Sequence, residues 1–328
     1  MTDETDKEAI LYACAIDGDG HGRLLNGDAV SQTLRDDTLA WVHLDAHAAE
    51  TRPWLEREIT YLDSLIIDAL LAEETRPRLL EFGDGALLIL RGVNLNENAD
   101  PEDMVSVRLW VDAHRIISVQ RRSLKAVKDI QDHLAAGRGP KNAGDFVAML
   151  AMRLFERMEP TFSTLDEQLD DMEELVMESP DTKERSPITA VRKKAILFRR
   201  YIMPQRDAIA QLRTSGFAWL DQTHKRHLQE SLDRVIRYVE DLDAIRDRAQ
   251  IVKDELATAL SDRMNRNLYV LSVIAAIFLP LGFLTGLLGI NVGGIPGADN
   301  TEAFWIFTAM LTALVSAQIA LFKMLRWF

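Results

Sequence analysis

The chain has 328 residues, of which 27 % are charged and 47 % hydrophobic, an ordinary mixture for one or two domains with packed cores. Its 38 basic and 51 acidic residues give a net charge of −13, which argues against nucleic acid as a partner and suits a protein that attracts cations. Cys14 is the only cysteine, so an internal disulfide and a cysteine-based zinc cluster are excluded.

The segment 8–122 alternates between strand-like and helix-like patterns, which predicts an α/β unit. Strands are predicted at 10–16, 39–44, 78–82, 86–90, 105–111 and 115–120. Turn residues at 83–85 and 112–114 predict that the last four strands form two hairpins. Apolar residues at helical spacing predict that 47–74 is mostly helix. A mixed sheet with helices on its faces is the simplest packing of these elements.

Nearly all residues after 124 are predicted to be helical. A helix over 145–177 is expected to kink or break at Pro160. Nine acidic residues and no Lys or Arg occur from 158 to 182, whereas the next helix, 188–213, begins with basic residues. The two helices are predicted to form a hairpin. Two interpretations stay open: a solvated pair with ordinary salt links, or an acidic lip that concentrates cations.

One very long helix is predicted from about residue 221 to 288. Apolar positions recur every three or four residues between 228 and 259, and no Pro or Gly occurs before Pro280. At 1.5 Å per residue such a helix is roughly 100 Å long. A rod of this kind would couple a soluble domain to a membrane segment.

Two C-terminal segments are long and apolar enough to span a membrane. Residues 268–288 and 304–322 carry no formal charge, and the first would cover roughly 30 Å, the thickness of the bilayer core. Basic residues flank the pair, at Arg263, Arg266, Lys323 and Arg326, while 289–303 has none. The positive-inside rule therefore places both termini in the cytoplasm. The polar, acidic N-terminal stretch lacks the pattern of a signal peptide, so export of the soluble part is not expected.

These patterns predict five parts. They are a cytoplasmic α/β and helical-hairpin domain (1–220), a stalk (221–267), a first span (268–290), an outer loop (291–303) and a second span (304–325).

One face of the first span is mostly small or polar. Heptad steps along it give Asn265, Leu268, Ser272, Ala275, Leu279, Gly282, Gly286 and Gly289. Such a stripe serves close helix packing in lipid, or it lines a pore built by several chains, since two helices cannot enclose a passage. In a pore, Leu279 would be a hydrophobic constriction. The stretches 268–288 and 304–322 contain no Asp, Glu, His, Lys or Arg, so an ion would meet carbonyls, hydroxyls and amides.

The tripeptide Gly289, Ile290, Asn291 at the end of this span carries a resemblance. With the preceding soluble α/β domain, long helix and two C-terminal spans, it resembles the CorA family of divalent-cation transporters, in which a Gly-x-Asn motif closes the first span. The CorA branch usually has Gly-Met-Asn followed by Met-Pro-Glu. Here Ile290 replaces Met and Gly297 stands at the position of the acid, a variant similar to the zinc-transporting ZntB branch.

The resemblance implies a homopentamer in a bacterial inner membrane, with the first spans around a central pore and the cytoplasmic domains forming a funnel. Asn291 would form a ring at the outer mouth, and Asn265, Ser272, Leu279 and Gly282 would face the lumen. It also implies zinc uptake and a link to proton coupling. A magnesium, cobalt or nickel channel and a non-conducting membrane-anchored sensor or scaffold are the alternatives. No enzyme motif is found, and no cofactor other than the transported ion is expected.

Three pairs of residues are candidates for metal contact. Asp299 and Glu302 are the acids nearest the outer mouth, and they either gather cations or are simply solvated. His224 and His227 are three apart on the long helix and could share one ion, and His43 and His47 form a weaker pair.

Overall fold

A computed structural model describes residues 9–178, 180–289, 295, 297 and 299–324. The chain divides into two compact units, Met1–Asp254 and Glu255–Phe328. The first unit contains a seven-stranded sheet and most of the helices.

The sheet is mixed, as predicted. Its strands are β1 (Ile10–Ile16), β2 (Gly22–Leu24), β3 (Ala40–Asp45), β4 (Arg78–Phe82), β5 (Gly85–Gly92), β6 (Val105–Val111) and β7 (Arg115–Gln120). The spatial order is β2-β1-β3-β7-β6-β5-β4. Only the pair β3 and β7 is parallel; every other neighbouring pair is antiparallel. Both predicted hairpins, β4–β5 and β6–β7, are confirmed.

Nine α-helices follow or interrupt these strands in the described part of the chain. They are α1 (Asp28–Arg35), α2 (Thr51–Glu58), α3 (Ser64–Leu71), α4 (Lys125–Ala135), α5 (Ala143–Glu156), α6 (Glu159–Glu178), α7 (Arg185–Thr214), α8 (Gln222–Gly289) and α9 (Ala303–Met324). A short 3-10 turn, Thr182–Glu184, precedes α7.

Two predicted helices are each divided in the structure. The segment 47–74 holds α2 and α3 with a break between them, because Asp63 caps α3 by accepting a hydrogen bond from the Leu65 amide (2.8 Å). The predicted helix 145–177 breaks into α5 and α6. Pro160 is the second residue of α6, where a missing amide hydrogen removes no helical hydrogen bond.

The core of the first unit lies on both faces of the sheet. On one face, Trp54 and Leu55 of α2 and Ile66 of α3 pack with Ile117 and Val119 of β7 in one buried cluster. On the other face, Trp41 of β3 contacts Phe146 of α5 edge to face, with ring centroids 4.8 Å apart. Burying such aromatic and aliphatic side chains is worth about 1.5–3 kcal/mol each, which fixes the helices on the sheet.

Candidate functional site

The C-terminal unit contains the two apolar helical stretches. The end of α8 and the whole of α9 are long and apolar enough to cross a membrane. Asn300, three residues before α9, accepts a hydrogen bond from the amide of Glu302 (2.9 Å) in the turn that leads into the helix. Of the predicted motif, Gly289 is the last residue of α8, and Ile290 and Asn291 lie outside the described residues.

One face of α8 packs against α9. Val273 is buried, and Ala276, Pro280 and Leu284 are partly covered. The side-chain amide of Gln318 in α9 donates to the Ala276 carbonyl across the contact (3.3 Å). A polar bond of this kind between spans contributes about 0.6–2 kcal/mol in lipid, so it fixes the rotation of α8 about its own axis.

The predicted small-residue stripe points away from that contact. Ser272, Ala275, Leu279 and Gly286 are exposed in the single chain, Leu279 to 72 %. At 100° per residue, the stripe lies about 120° around the helix from the face that packs on α9. Asn265 is also exposed on α8. The α9 contact therefore leaves the stripe free for another surface.

Among the described residues, nothing packs closely against the glycines of the stripe. A Cβ atom added at Gly282, Gly286 or Gly289 would meet nothing within 4 Å. Each glycine costs about 0.8–1 kcal/mol of helix stability relative to alanine. Glycine at these positions would instead allow a helix of another chain to approach closely.

A crevice of about 560 Å³ lies between the two spans. Gly282 and Thr285 of α8 line it together with Thr308, Thr312 and Ser316 of α9. Each of these hydroxyls donates to a carbonyl of its own helix, such as Thr285 to Leu281 (2.9 Å) and Ser316 to Thr312 (2.8 Å). The crevice therefore presents an apolar surface despite its hydroxyl groups.

The two acids of the outer loop are exposed. Asp299 precedes α9 and Glu302 lies directly before its first residue. Negative charge at this end of a helix interacts favourably with the helix dipole. Both carboxylates can therefore stabilise helix α9 through its dipole, whether or not they also bind a cation.

His224 is buried where the N-termini of α5 and α8 meet. Its Nδ1 accepts a hydrogen bond from the Asp221 amide (3.1 Å), and its Nε2 lies 3.1 Å from Oδ1 of Asp145. An Nδ1 that accepts places the ring hydrogen on Nε2, which donates to Asp145. Both nitrogens are thus engaged, and a metal at His224 would have to displace Asp145 or Asp221.

The other histidines of the predicted pairs occupy different surroundings. His227 is exposed and lines a crevice of about 300 Å³ with Met149, Met152 and Glu230. His43 is buried, with Nδ1 2.7 Å from Oγ of Ser118.

His47 is exposed at the end of β3, with its Nδ1 3.2 Å from Oδ1 of Asp45. Within the described ranges, no group of three or more His, Cys, Asp or Glu side chains is arranged to hold a metal ion.

Arg248 of α8 links the acidic helix α6 to α8. The sequence did not predict this contact. Arg248 donates to Asp166 (3.0 Å), to Asp170 and to Glu173 (2.8 Å). These carboxylates raise the pKa of Arg248, and the hydrogen bond that Arg248 donates to Asp170 contributes most.

The basic start of α7 makes ion pairs with other partners. Lys194 lies 3.6 Å from Glu102 and Arg199 lies 2.6 Å from Asp243. Neither pair involves an acid of α6. Four acids of α6 that Arg248 does not contact are exposed in a row on one face: Glu167, Asp171, Glu174 and Glu178.

The mixed-sheet unit, the 68-residue helix and the two apolar C-terminal helices define a membrane transporter of the two-span class. A family model described as CorA-like Mg2+ transporter protein matches residues 36–324. The chain therefore belongs to the CorA family, and the resemblance seen in its sequence is confirmed. It is a divalent cation transporter of the CorA and ZntB type.

Curated relatives match along nearly the whole chain. The divalent cation transporter CmaX of Pseudomonas aeruginosa is 40 % identical over 329 residues, covering 98 % of both chains. The zinc transport protein ZntB of Pectobacterium atrosepticum is 34 % identical over 324 residues, covering 99 % of this chain and 98 % of the relative.

Solved structures show the same architecture. Full-length CmaX superposes with a TM-score of 0.84 at 39 % identity, covering 98 % of both chains. The CorA magnesium transporter from Methanocaldococcus jannaschii has a TM-score of 0.80 over 95 % of this chain and 98 % of its own. At 17 % identity, that match shows a shared fold.

Proposed function

We propose that the chain takes up zinc through the central pore of a homopentamer whose wall is formed by the first span of each copy. The observation that carries the proposal is the orientation of α8. Its α9 contact leaves most of the small-residue stripe exposed, and no described residue lies close enough to the stripe's glycines to require the absence of a side chain. A ring of such helices would bring these stripes together around an axis.

Asn291 is proposed to form the outer ring of the pore. An amide oxygen can replace or hydrogen-bond a water of a hydrated divalent ion without holding the ion as tightly as a carboxylate does. The stretches 268–288 and 304–322 contain no charged residue, which agrees with selection of the ion by a ring of neutral amides. Leu279, which is 72 % exposed in the single chain, would form the hydrophobic constriction below.

The direction of transport follows from the membrane potential. We place the protein in the bacterial inner membrane with both termini in the cytoplasm, because basic residues flank the pair of spans and none lies between them. An inside-negative potential favours entry by about 2.3 kcal/mol per charge per 100 mV, and by twice that for a divalent ion. Uptake therefore needs no nucleotide.

Zinc is proposed as the transported ion because the relatives named ZntB are zinc transport proteins and share 34 % identity over almost the full chain. Proton coupling is the second part of the proposal. Neither 268–288 nor 304–322 contains Asp, Glu or His, so a proton would have to move with the ion or through water rather than on a carboxylate.

A second candidate is a channel for magnesium, cobalt or nickel with the same architecture. The name of the relative CmaX specifies only a divalent cation, and the family model is described for Mg2+. A non-conducting anchor is the remaining alternative.

Metal uptake into liposomes separates these candidates. The purified full chain is reconstituted, and entry of zinc and of magnesium is followed with ion-sensitive dyes, with and without an acidic exterior. We expect zinc to enter faster than magnesium, and to enter faster still when the exterior is acidic.

Each other outcome has a defined meaning. Magnesium uptake in preference to zinc would overturn the assignment of the ion. Zinc uptake at the same rate with and without the pH gradient would overturn the proposal of proton coupling but not that of zinc transport. No flux of any divalent ion, from a protein that remains assembled, would favour the non-conducting anchor.

A further inference from the structure

A proline lies inside the first span, on the face of α8 that packs against α9. Helix α8 runs unbroken from Gln222 to Gly289 and contains Pro280. A proline has no amide hydrogen, so Pro280 cannot make the helical hydrogen bond to the carbonyl of Ala276, four residues earlier. Inside a membrane no bulk water replaces that bond, so the carbonyl needs a donor from elsewhere in the protein.

Gln318 of α9 donates to that same carbonyl. Its side-chain Nε2 lies 3.3 Å from the carbonyl oxygen of Ala276. Ala276 and Pro280 are both partly covered and are four residues apart, so they lie on one face of α8, the face towards α9. The carbonyl that Pro280 leaves without its helical donor is therefore the one that a side chain of the second span reaches.

The hydroxyl groups close in sequence to this contact donate elsewhere. Ser272 and Thr285 of α8 each donate to a carbonyl of their own helix, at 2.8 and 2.9 Å. Ser316 of α9 likewise donates within α9 (2.8 Å). Short hydroxyl side chains commonly bond their own helical turn in this way, whereas the longer amide of Gln318 reaches the neighbouring helix.

The amide of Gln318 is costly in an apolar span. Its Oε1 is buried and has no hydrogen-bond partner in the part of the chain that the structure describes. Exchanging the oxygen and nitrogen of the amide would place two oxygens against each other and lose the bond to Ala276. An apolar side chain of similar size would fill the space without this penalty. The free carbonyl of Ala276 thus gives a reason for an amide here that packing does not give.

We infer that Gln318 is a positioning residue of the proposed pore, because it makes the hydrogen bond that Pro280 cannot make and so holds this turn of α8 against α9. Leu279 lies directly before Pro280 and is exposed on the side of the stripe. Gln318 acts through the backbone of Ala276 and fixes the place of the Leu279 constriction. The effect on ion flux rests on the proposed function, whereas the replaced hydrogen bond does not.

A double-mutant cycle tests the inference. Gln318→Met keeps most of the length of the side chain but removes the donor, whereas Pro280→Ala restores an amide hydrogen that can bond the Ala276 carbonyl within α8. Hydrogen exchange over 272–284 is measured by mass spectrometry on the full chain in lipid nanodiscs. We expect Gln318→Met to accelerate this exchange roughly three- to thirtyfold when Pro280 is present, and by less than about twofold in the Pro280→Ala background. Equal acceleration in both backgrounds would overturn the inference, as would no acceleration in either.

Ser316→Ala is the matched control. It removes a polar group two residues from Gln318, but the hydrogen bond of that group stays within α9. Hydrogen exchange in α8 should therefore be unchanged. Acceleration equal to that of Gln318→Met would show that loss of any polar group of α9 has this effect, and it would contradict a specific role of the bond to Ala276.

Zinc flux into liposomes tests the positioning role. Every copy must hold this turn alike for the stripes to line one passage, so Gln318→Met should lower the wild-type flux at least about threefold. In the Pro280→Ala background the same substitution should change the flux by less than about twofold. Coupled exchange with unchanged flux would refute the role in the pore. If the wild type carries no zinc, the proposed function fails, and the exchange cycle still decides whether Gln318 replaces the missing bond.

A measurement on the wild type does not depend on how the variants fold. Solid-state NMR of the full chain in lipid should show a through-space correlation between Nε2 of Gln318 and the carbonyl carbon of Ala276. Absence of that correlation would count against the inference, even if Gln318→Met or Pro280→Ala failed to assemble.

Discussion

His224 shows how one side chain can join two helices. Its ring binds the first turn of α8 through Asp221 and the first turn of α5 through Asp145. Gly144 lies beside it on α5, because any larger residue would collide with the ring. The sequence indicated this histidine only as a candidate metal ligand, since its partner Asp145 is 79 residues away and no local pattern points to it.

Gly144→Ala is therefore expected to destabilise the protein, although alanine is the better helix former. The added Cβ would lie 2.4 Å from Nδ1 of His224 and 2.6 Å from the Trp219 carbonyl oxygen. Overpacking of this kind costs about 1–3 kcal/mol, which exceeds the gain of about 0.5–1 kcal/mol in helix propensity. Urea unfolding measures the difference.

Gly216→Ala is the control for that prediction. A Cβ at Gly216 would meet nothing within 4 Å, so its free energy of unfolding should stay within about 0.5 kcal/mol of the wild-type value. If Gly144→Ala stabilised the protein, the ring of His224 would lie farther from Gly144 than the structure shows.

His43 makes the stability of the first unit depend on pH. Burial lowers its pKa from the ordinary value of 6.5 to about 4. Because the unfolded chain takes up a proton near pH 6.5 and the folded chain does not, the stability is fully present above that pH and is lost as the pH falls towards 4. The expected loss between pH 7 and pH 5 is about 2 kcal/mol.

His43→Gln should remove this part of the pH dependence. The measurement is the free energy of unfolding of both proteins at the two pH values, and the wild type should lose about 2 kcal/mol more than the variant. Equal losses would show that His43 is protonated as easily in the folded chain as in the unfolded one.

At the scale of elements, strong periodic patterns were predictable and short elements were not. The six predicted strands and the helix over 221–288 are confirmed, since alternation and helical spacing persist there for many residues. Strand β2 has three residues and helix α1 has eight, too few to show a period. The proposed position of the ion pathway rests on the spans and the tripeptide and stays a prediction. The contacts of Gln318 and Arg248 depend on packing between distant elements, which no local pattern predicts.

Arg248 is expected to hold α6 against α8 within the first unit. Replacing it with Met would leave Asp166, Asp170 and Glu173 close together without a cation. Since the arginine is 38 % exposed, a loss of about 1 kcal/mol is expected, equivalent to roughly fivefold faster hydrogen exchange in α6.

Arg246→Met is the comparison for Arg248, because Arg246 pairs with Asp243 and Asp247 of its own helix. Its loss should leave exchange in α6 unchanged. If both variants accelerate hydrogen exchange in α6 equally, the cause is the loss of one positive charge and not the loss of the ion pairs between α6 and α8.

At the scale of the whole molecule, the proposed pore requires more than one chain. Two spans per chain cannot enclose a passage, and the exposed stripe with its glycines calls for neighbours of the same kind. Five copies would place five Asn291 side chains around one axis. The ring has no charge of its own, so ion selection would depend on amide geometry and on the hydration of the ion.

Zinc flux through the Asn291→Ala variant is the most direct test of the proposed central pore. The variant and the wild type are reconstituted at equal protein density, and their oligomeric state is checked before reconstitution. Zinc entry is expected to fall to the level of empty liposomes while assembly is unchanged. Wild-type flux through a correctly assembled Asn291→Ala protein would contradict it.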